Sequence, residues 1–452
     1  MPKIKSLMHF ILFEKVNLKI KLKVLAVNLF KPLIHERLWF LIKFAAKKLS
    51  NILIALRNIK SIFIYRLRRF LVFLRFSFFS LLPRKRPIVD KKHLGISLIG
   101  CPPINGLGFT LQSVFNSVGS LIPTSILYTL PAVDEKLVSS EKKKGNINII
   151  VGNPDFLLSA LFSPYLFQRY SRQLYTDYNV GFYFWEFENA PKHWASIKQW
   201  TDEVWVQSDF MLNTFKKISS NVYKIPFYLD IKPNNKKTRC YFNLPNNKFI
   251  FLFTFDFWSS YERKNPEAVV RAFKEGFGER EDVHLLIKTT HGEDLIPEMN
   301  QLLSVIGDAQ NIELRNIFIS VEDQHSLLSQ CDAYISLHRS EGLGLGMAEA
   351  MYLEKPVIAT NYSGNLEFMN KKNSCLVDYS LVPLKASVTY PNSAGELWAE
   401  PDFSQAAYFM KKIKDNPVFR NKIATQASSD MKIYNAENFQ SAILSKINRI
   451  SE

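Results

Sequence analysis

The sequence is poor in the residues that most often build a metal or redox centre. Four cysteines occur in 452 residues (Cys101, Cys240, Cys331 and Cys375), widely scattered and with no Cys-x-x-Cys pair. That argues against a disulfide framework or a zinc site and fits a reducing compartment. No Asp-x-Asp triplet occurs and the eight histidines are dispersed, so no pattern points to a bound metal. No uncharged apolar run approaches the roughly 18–20 residues that span a bilayer. Acidic residues are nearly missing from residues 1–90, which hold 20 Lys/Arg against 3 Asp/Glu. The other 362 residues hold 38 of each sign, so the formal charge of +17 belongs to one arm and the body is neutral. A charge confined in this way is not the footprint of a nucleic-acid-binding body.

What is present begins with that arm. Residues 1–90 mix Phe, Leu and Ile with Lys or Arg every few positions, as in "FIYRLRRFLVFLRF". As a signal peptide the stretch is poor: "SLMHFILF" is cut short by Glu14-Lys15, and no small-residue cleavage site follows. A helix built from it is basic on one side and apolar on the other, which suits the interface of an anionic membrane. Each basic side chain near such a surface contributes on the order of 1 kcal/mol. Two other readings stay open, a helical layer packed on the body or a partner, and nucleic-acid binding, although no recognisable DNA or RNA module is present.

At 452 residues the chain exceeds one core and suits two domains plus an extra segment. From Leu94 onward, short apolar runs alternate with helical stretches. Strands are expected at 94–100, 147–152, 180–187, 203–208 and 222–227. A polar break, "KPNNKKTRCYFNLPNNK" (232–248), follows. A second series is expected at 249–257, 283–290, 314–320, 332–338, 355–361 and 373–379. The runs are apolar throughout rather than alternating, as in parallel strands buried on both faces. Strand alternating with helix implies right-handed crossovers. The fold class expected is α/β, with two doubly wound, Rossmann-like domains (91–231 and 249–435) facing a cleft, and 436–452 as a closing helix. Ligands bind at the carboxyl ends of such strands.

One stretch carries the chemistry: "SLHRSEGLGLGMAEAMYLEKPVIATNYSGNLEF", Ser336 to Phe368. The segment "DAYISLH" reads as a strand and "LGLGMAEAMYL" as a helix starting among Gly342, Gly344 and Gly346. Glycines there let a ligand approach the backbone, and the helix start offers orphan N–H groups to phosphate. Glu341 lies on the loop before the helix and Glu349 about a turn and a half inside it. Two carboxylates flanking a phosphate site suit the hydroxyls at either end of a nucleotide sugar. The plain alternative is a solvated helix with two unrelated glutamates. The glycines, the preceding strand and the following "KPVIATNYSGNLEF" weigh against it.

These residues resemble the family 4 retaining glycosyltransferases of GT-B fold. The resemblance covers about 94–450 and rests on Glu341, seven residues, then Glu349 within "SEGLGLGMAEAMYLEKPVIAT", and on three further places. They are "NGLGFTLQ" (105–112), "NVGFYFWEFENAPKHWASIKQWTDEVWVQSDF" (179–210) and "FDFWSSYERKNPEAVVRAF" (255–273). It implies that Arg263 and Lys264 hold the donor diphosphate, that Glu341 contacts the transferred sugar and that Glu349 binds the ribose. Gly342, Leu343 and Gly344 would offer backbone N–H groups, and Gly106, Gly108 and Gly364 would line the donor. His338 and Arg339 are candidates for phosphate contact or plain loop residues. An opposing observation favours a ligand role for Arg263-Lys264, since "RKNP" reads as a helix start, where cations are disfavoured.

There are departures from the family pattern. Many relatives carry a histidine after the strand that here reads "GFYFWEFE", where this chain has Trp185, Glu186 and Glu188. Glu186 is the first choice for the polar group beside the reacting sugar, and His193, after Pro191, reads as a helix cap. Glu354 stands where a glycine usually ends the helix, and Asn365 where a second glycine often follows Gly364.

The implied reaction moves a hexose, mannose being one candidate, from a nucleotide-diphosphate sugar to a saccharide or lipid-linked acceptor, with retention. It implies no metal and no cofactor besides the nucleotide sugar. The setting implied is cell-surface polysaccharide assembly in the cytoplasm, at the inner face of the plasma membrane. Two alternatives from other classes stay open, a GT-B sugar-nucleotide epimerase and a non-catalytic scaffold that binds glycan or nucleotide.

Overall fold

A computed structural model describes residues 94–101, 106–128, 146–155, 176–384 and 395–452, together with Val89 and Leu174. They all belong to one compact unit, Pro83–Glu452. The basic arm expected at 1–90 lies outside the described residues apart from Val89, as does Asn105 of the "NGLGFTLQ" loop. Among the described residues no helix is long and apolar enough to cross a membrane.

The first domain is a six-stranded parallel sheet in the order β2-β1-β3-β4-β5-β6. Its strands are β1 (Ile96–Gly100), β2 (Thr124–Tyr128), β3 (Ile147–Gly152), β4 (Tyr178–Tyr183), β5 (Glu203–Val206) and β6 (Val222–Lys224). Every residue of β1 and β3 is buried, which is why they read as unbroken apolar runs. Helix α1 (Gly106–Val118) crosses from β1 to β2, and α2 (Asp209–Lys216) from β5 to β6.

The second domain repeats the plan in the order β12-β11-β10-β7-β8-β9. Here β7 (Phe249–Asp256), β8 (Val283–Thr290), β9 (Ile312–Asn316), β10 (Ala333–Ser336), β11 (Val357–Thr360) and β12 (Cys375–Val377) are all parallel. The crossovers are α3 (Tyr261–Lys264) with α4 (Pro266–Phe277), then α5 (Ile296–Ile306), α6 (Val321–Gln330) and α7 (Leu345–Tyr352). Two apolar layers cover this sheet, one built on Phe251, Phe253 and Ile287, the other on Leu252, Tyr334 and Met351. The strand order reverses between β7 and β10, so their carboxyl ends diverge and leave the crevice of a doubly wound sheet.

Several expectations are corrected. The run 180–187 does not stay in the sheet: β4 ends at Tyr183, where its partner β3 also ends at Gly152 and pairing with β5 has already stopped at Phe182. Phe187 instead buries its ring against Trp185 and Trp398. The strand expected at 314–320 is shifted to Ile312–Asn316, which leaves Phe318 exposed. The edge strand β2 was not anticipated. Nor was an antiparallel hairpin, β13 (Tyr379–Pro383) with β14 (Leu397–Pro401), whose Leu381 and Leu397 face solvent and give no core signal.

After α8 (Phe403–Asp415) and α9 (Pro417–Met431), helix α10 (Ala436–Ile450) returns to the first sheet. Phe439, Ile443 and Ile447, four residues apart, are fully buried with Leu98, Leu111 and Val114, the spacing of one helix face. Arg449 of α10 pairs with the buried carboxylate of Glu203 on β5.

Helix α7 ends as its sequence requires and at some strain. Glu354, just past its last turn, has φ 57°, a left-handed conformation natural to glycine and unfavourable by roughly 1–2 kcal/mol for other L-residues. Its carboxylate accepts a hydrogen bond from Thr425 Oγ1 at 2.8 Å, a small offset at an exposed site. Glu354→Gly is therefore expected to raise the unfolding free energy by about 0.5–1 kcal/mol. A denaturant midpoint lower than wild type would contradict this.

Candidate functional site

The loops after β7 and β10 meet at the reversal point. After β7 the chain makes a short 3-10 turn, then α3, one turn long, whose last residues are Arg263 and Lys264. Asn265, with φ 54°, breaks the backbone before Pro266 opens α4. The two cations therefore close a short helix rather than open a long one, and the cation-unfriendly helix start expected at "RKNP" begins two residues later. Polar positions in the last turn are compatible with basic groups, so the argument for a ligand must come from what the side chains face.

They face Glu341. Arg263 Nη1 lies 3.1 Å from Glu341 Oε1, and Lys264 Nζ hydrogen-bonds the same oxygen. Arg263 is only 3% exposed, and its guanidinium also donates to Ser340 O at 2.9 Å and Ser259 O at 2.8 Å. Glu341 is 8% exposed. Burial pushes its carboxyl upward, but Arg263 and Lys264 outweigh this and hold it at about 2. For Lys264 burial wins: desolvation lowers the ammonium's pKa, and Glu341 offsets only part of that. Glu186 from the first domain comes within 3.9 Å of Arg263 Nη2, so the structure brings all four expected catalytic side chains to one place.

The glycines act through close backbone approach. Gly344 caps α7 with φ 91°. A Cβ on Gly364 would stand 1.9 Å from the carbonyl oxygen of Gly342, and one on Gly342 would stand 2.9 Å from Trp185 O. Gly364 N donates to Glu341 O at 2.9 Å, and Ser363 Oγ accepts from Glu341 N at 2.8 Å. The Glu341 peptide is thus clamped on both sides by the loop after β11. Leu343 is buried in the apolar layer beneath α7. Gly106 and Gly108 lie in the first turn of α1, after β1.

Two expected donor contacts are corrected. His338 is fully buried, with Nδ1 3.1 Å from Ser336 Oγ and Nε2 3.2 Å from Asn365 Oδ1 and 3.3 Å from Tyr362 O. Asn365 Nδ2 donates to Thr360 O at 3.0 Å, which leaves Oδ1 as the acceptor and places the histidine proton on Nε2. Burial lowers the His338 pKa, so the ring is a neutral strut behind the loop, not a phosphate ligand. Arg339 turns the other way. Its Nε donates to Glu400 at 2.6 Å and its Nη1 to Glu262 O at 2.6 Å, while its guanidinium lies 5.2 Å from the Trp398 ring. It fastens the β13–β14 hairpin.

Glu349, on the fifth residue of α7, lies 3.7 Å from His325 Nε2 of α6 and keeps partial exposure. His193 does not cap a helix. Its Nε2 sits 2.6 Å from Asp155 Oδ1, just beyond β3.

Some residues of this crevice escaped the sequence reading. Lys288 on β8 is 9% exposed and its side chain makes no hydrogen bond or ion pair among the described residues; burial lowers its pKa, with Asp256 opposing. Its only sequence signal was a charge inside an apolar run. Trp258, 62% exposed, stacks on His291 at 3.6 Å beyond the ends of β7 and β8. Ser340 and Ser208 tie the domains together, Ser340 Oγ donating to Glu186 O and Ser208 Oγ to Gly342 O at 2.7 Å. Among the described residues no group of three or more His, Cys, Asp or Glu side chains is arranged to hold a metal ion.

The Glu341 pKa carries a stability consequence. A carboxyl held below its ordinary value stabilises the fold above its unfolded pKa near 4.5, and that contribution is lost as pH falls toward 2. Glu341→Gln leaves Arg263 and Lys264 buried without their counter-charge, a change of roughly 3–5 kcal/mol. Thermal melts should show a lower midpoint for Glu341→Gln at pH 7. The gap to wild type should narrow between pH 4.5 and 3; a constant gap would refute the pairing.

Against known proteins, residues 243–379 match the family described as glycosyl transferases group 1. The chain is similar in structure to sucrose-phosphate synthase from Thermosynechococcus elongatus, with TM-score 0.60 and 13% identity over 79% of this chain and 99% of that one. A glycosyltransferase from Rickettsia africae gives TM-score 0.58 and 15% identity over 79% and 98%. Anabaena HepE, in complex with UDP and glucose, gives TM-score 0.55 and 14% identity over 79% and 100%. At such identities the likeness is one of fold. The protein has two Rossmann-like domains arranged as in GT-B glycosyltransferase structures, and its second domain carries the glycosyl transferases group 1 match, which together support a glycosyltransferase.

Proposed function

We propose that this protein is a retaining, metal-independent hexosyltransferase of the family 4 kind, using a nucleoside-diphosphate sugar as donor. The observation that carries the proposal is the meeting of Arg263, Lys264 and Glu341 where the strand order of the second sheet reverses. The complex of HepE with UDP and glucose supports a nucleoside diphosphate in a cleft of this architecture.

In this reading the donor diphosphate lies over the start of α7, beside Lys264. Fixed positive potential there favours the leaving group as the bond from C1 to the phosphate oxygen breaks, each well-placed donor contributing about 3–4 kcal/mol. Arg263, sunk behind Glu341 and bound to two backbone carbonyls, holds the carboxylate and ammonium in place and adds its own charge. Glu341 accepts from hydroxyls of the transferred sugar, and Glu349 from the ribose. The acceptor hydroxyl forms its new bond to C1 on the face the phosphate leaves, and its proton passes to the departing phosphate oxygen. Glu186, reaching across from the first domain, borders the same space. Lys288 is a buried ammonium available to the nucleotide one strand further along.

Incubation with a panel of UDP- and GDP-hexoses, with EDTA present, should release the free hexose from at least one donor. Lys264→Met should slow this by about 100- to 1,000-fold. NMR of the first-formed sugar should show the donor's anomeric configuration; inversion would end the mechanism.

The basic arm in this reading anchors the enzyme peripherally at the cytoplasmic face of an anionic membrane, where lipid-linked saccharides are extended for the cell surface. Flotation with anionic vesicles should recover the full chain, and deletion of residues 1–90 should abolish recovery. Undiminished recovery of the truncated chain would remove the anchoring role.

A further inference from the structure

Beside α3, the amino-terminal turns of α4 and α5 converge with Arg339 on a cavity of about 290 Å³. That is about ten times the roughly 30 Å³ a water molecule occupies in the liquid. Its wall includes Tyr261, Asn265, Glu267, Glu298, Gln301 and Arg339. Two polar atoms of residues that line it are buried without a hydrogen-bond partner, Asn265 Nδ2 and Glu298 Oε2. Asn265 is 3% exposed. Unpaired buried polar atoms are rare because each forfeits its hydration, at roughly 1–3 kcal/mol. Here one amide and one carboxylate share a cavity, and an amide end serves a hydroxyl in either orientation.

The rest of the wall is held in place. Glu267 Oε1 accepts from Tyr261 Oη at 3.2 Å and from Gln301 Nε2 at 2.6 Å. Arg339 is fixed by Glu400 and the Glu262 carbonyl. The exposed residues Glu262, Pro297 and Gln301 on the rim leave an entrance. Carboxylates beside the cavity disfavour an anion, despite two helix starts. A ligand whose every polar group both donates and accepts fits this mixture of amide, carboxylate and guanidinium, and a sugar's hydroxyls do so. Position gives the site a role: Asn265 follows Lys264 directly, Arg339 precedes Ser340, and the Arg339 N–H donates to Arg263 O at 2.8 Å.

We propose that this cavity is a pyranose-binding subsite for the acceptor saccharide, placed on the donor domain. It rests on the transferase reading and goes beyond it by locating a sugar of the acceptor outside the cleft between the domains.

The test uses the full chain and a panel of methyl α- and β-hexopyranosides, with binding read by saturation-transfer NMR. At least one glycoside should receive saturation from the wild type. Its dissociation constant should rise at least fivefold in Glu298→Gln, an isosteric change, and in Gln301→Ala. UDP or GDP affinity, donor hydrolysis and melting temperature should stay at wild-type values in both variants. The subsite is overturned if no glycoside binds the wild type, or if binding is equal in both variants. If instead the wild type binds no nucleotide and hydrolyses no sugar nucleotide, the transferase reading itself fails, whatever the glycosides do.

Discussion

The arrangement depends on one buried carboxylate held between two cations. Glu341, Arg263 and Lys264 come from loops 77 residues apart in sequence and share a single oxygen, Glu341 Oε1. Removing any of these charges from water is expensive, and only their mutual contact together with the backbone acceptors of Arg263 makes the cluster tolerable. Charged groups kept for stability alone would be replaced by apolar ones at little loss. Their place at the point where the strand order reverses puts that costly cluster where a doubly wound sheet opens its crevice. Lys264 keeps part of its side chain exposed beside the carboxylate.

The clamp behind that cluster is made of backbone. Gly364 touches Gly342 so closely that no side chain fits, and the contact sets the Glu341 peptide between the loops after β10 and β11. Behind it stands His338. A second glycine at 365 would leave Nε2 of that buried ring with Tyr362 O as its acceptor, at 3.3 Å; Asn365 supplies another at 3.2 Å and ties it on to Thr360. Asn365, a departure from the family pattern, and the buried His338 are therefore joined by packing.

Where the sequence was legible, burial on both faces made it so. β3 and β8 fall where their apolar runs begin and end, and α10 declares itself by Phe439, Ile443 and Ile447 at helical spacing. The site loops were legible through glycine, because close backbone approach leaves no alternative residue. What stayed hidden has a different cause. The β13–β14 hairpin exposes Tyr379, Leu381 and Leu397 while burying Trp398, so no simple periodicity marks it. His338 and Arg339 are adjacent polar residues on a glycine-flanked loop, and only packing decides that one turns inward as a strut while the other turns out to Glu400. Lys288 looks like a mere interruption of a strand until the sheet buries it, and nothing in the sequence shows that Asn265, at the start of α4, leaves its amide without a partner.

The contacts between the two domains explain why this loop is so tightly specified. Ser208 of the first domain donates to Gly342 O, and Ser340 of the second donates to Glu186 O. The two bonds run in opposite directions and grip the residues immediately before and after Glu341. Each accepting carbonyl belongs to an irregular segment, since β4 ends at Tyr183 and α7 begins only at Leu345. Backbone groups freed by the early end of a strand need partners when buried, and here they find them in the other domain. Both bonds cross from one domain to the other, and the Glu341 peptide between them is held besides by Ser363 and Gly364 of its own domain. The peptide that presents the carboxylate is thereby fixed from both domains at once.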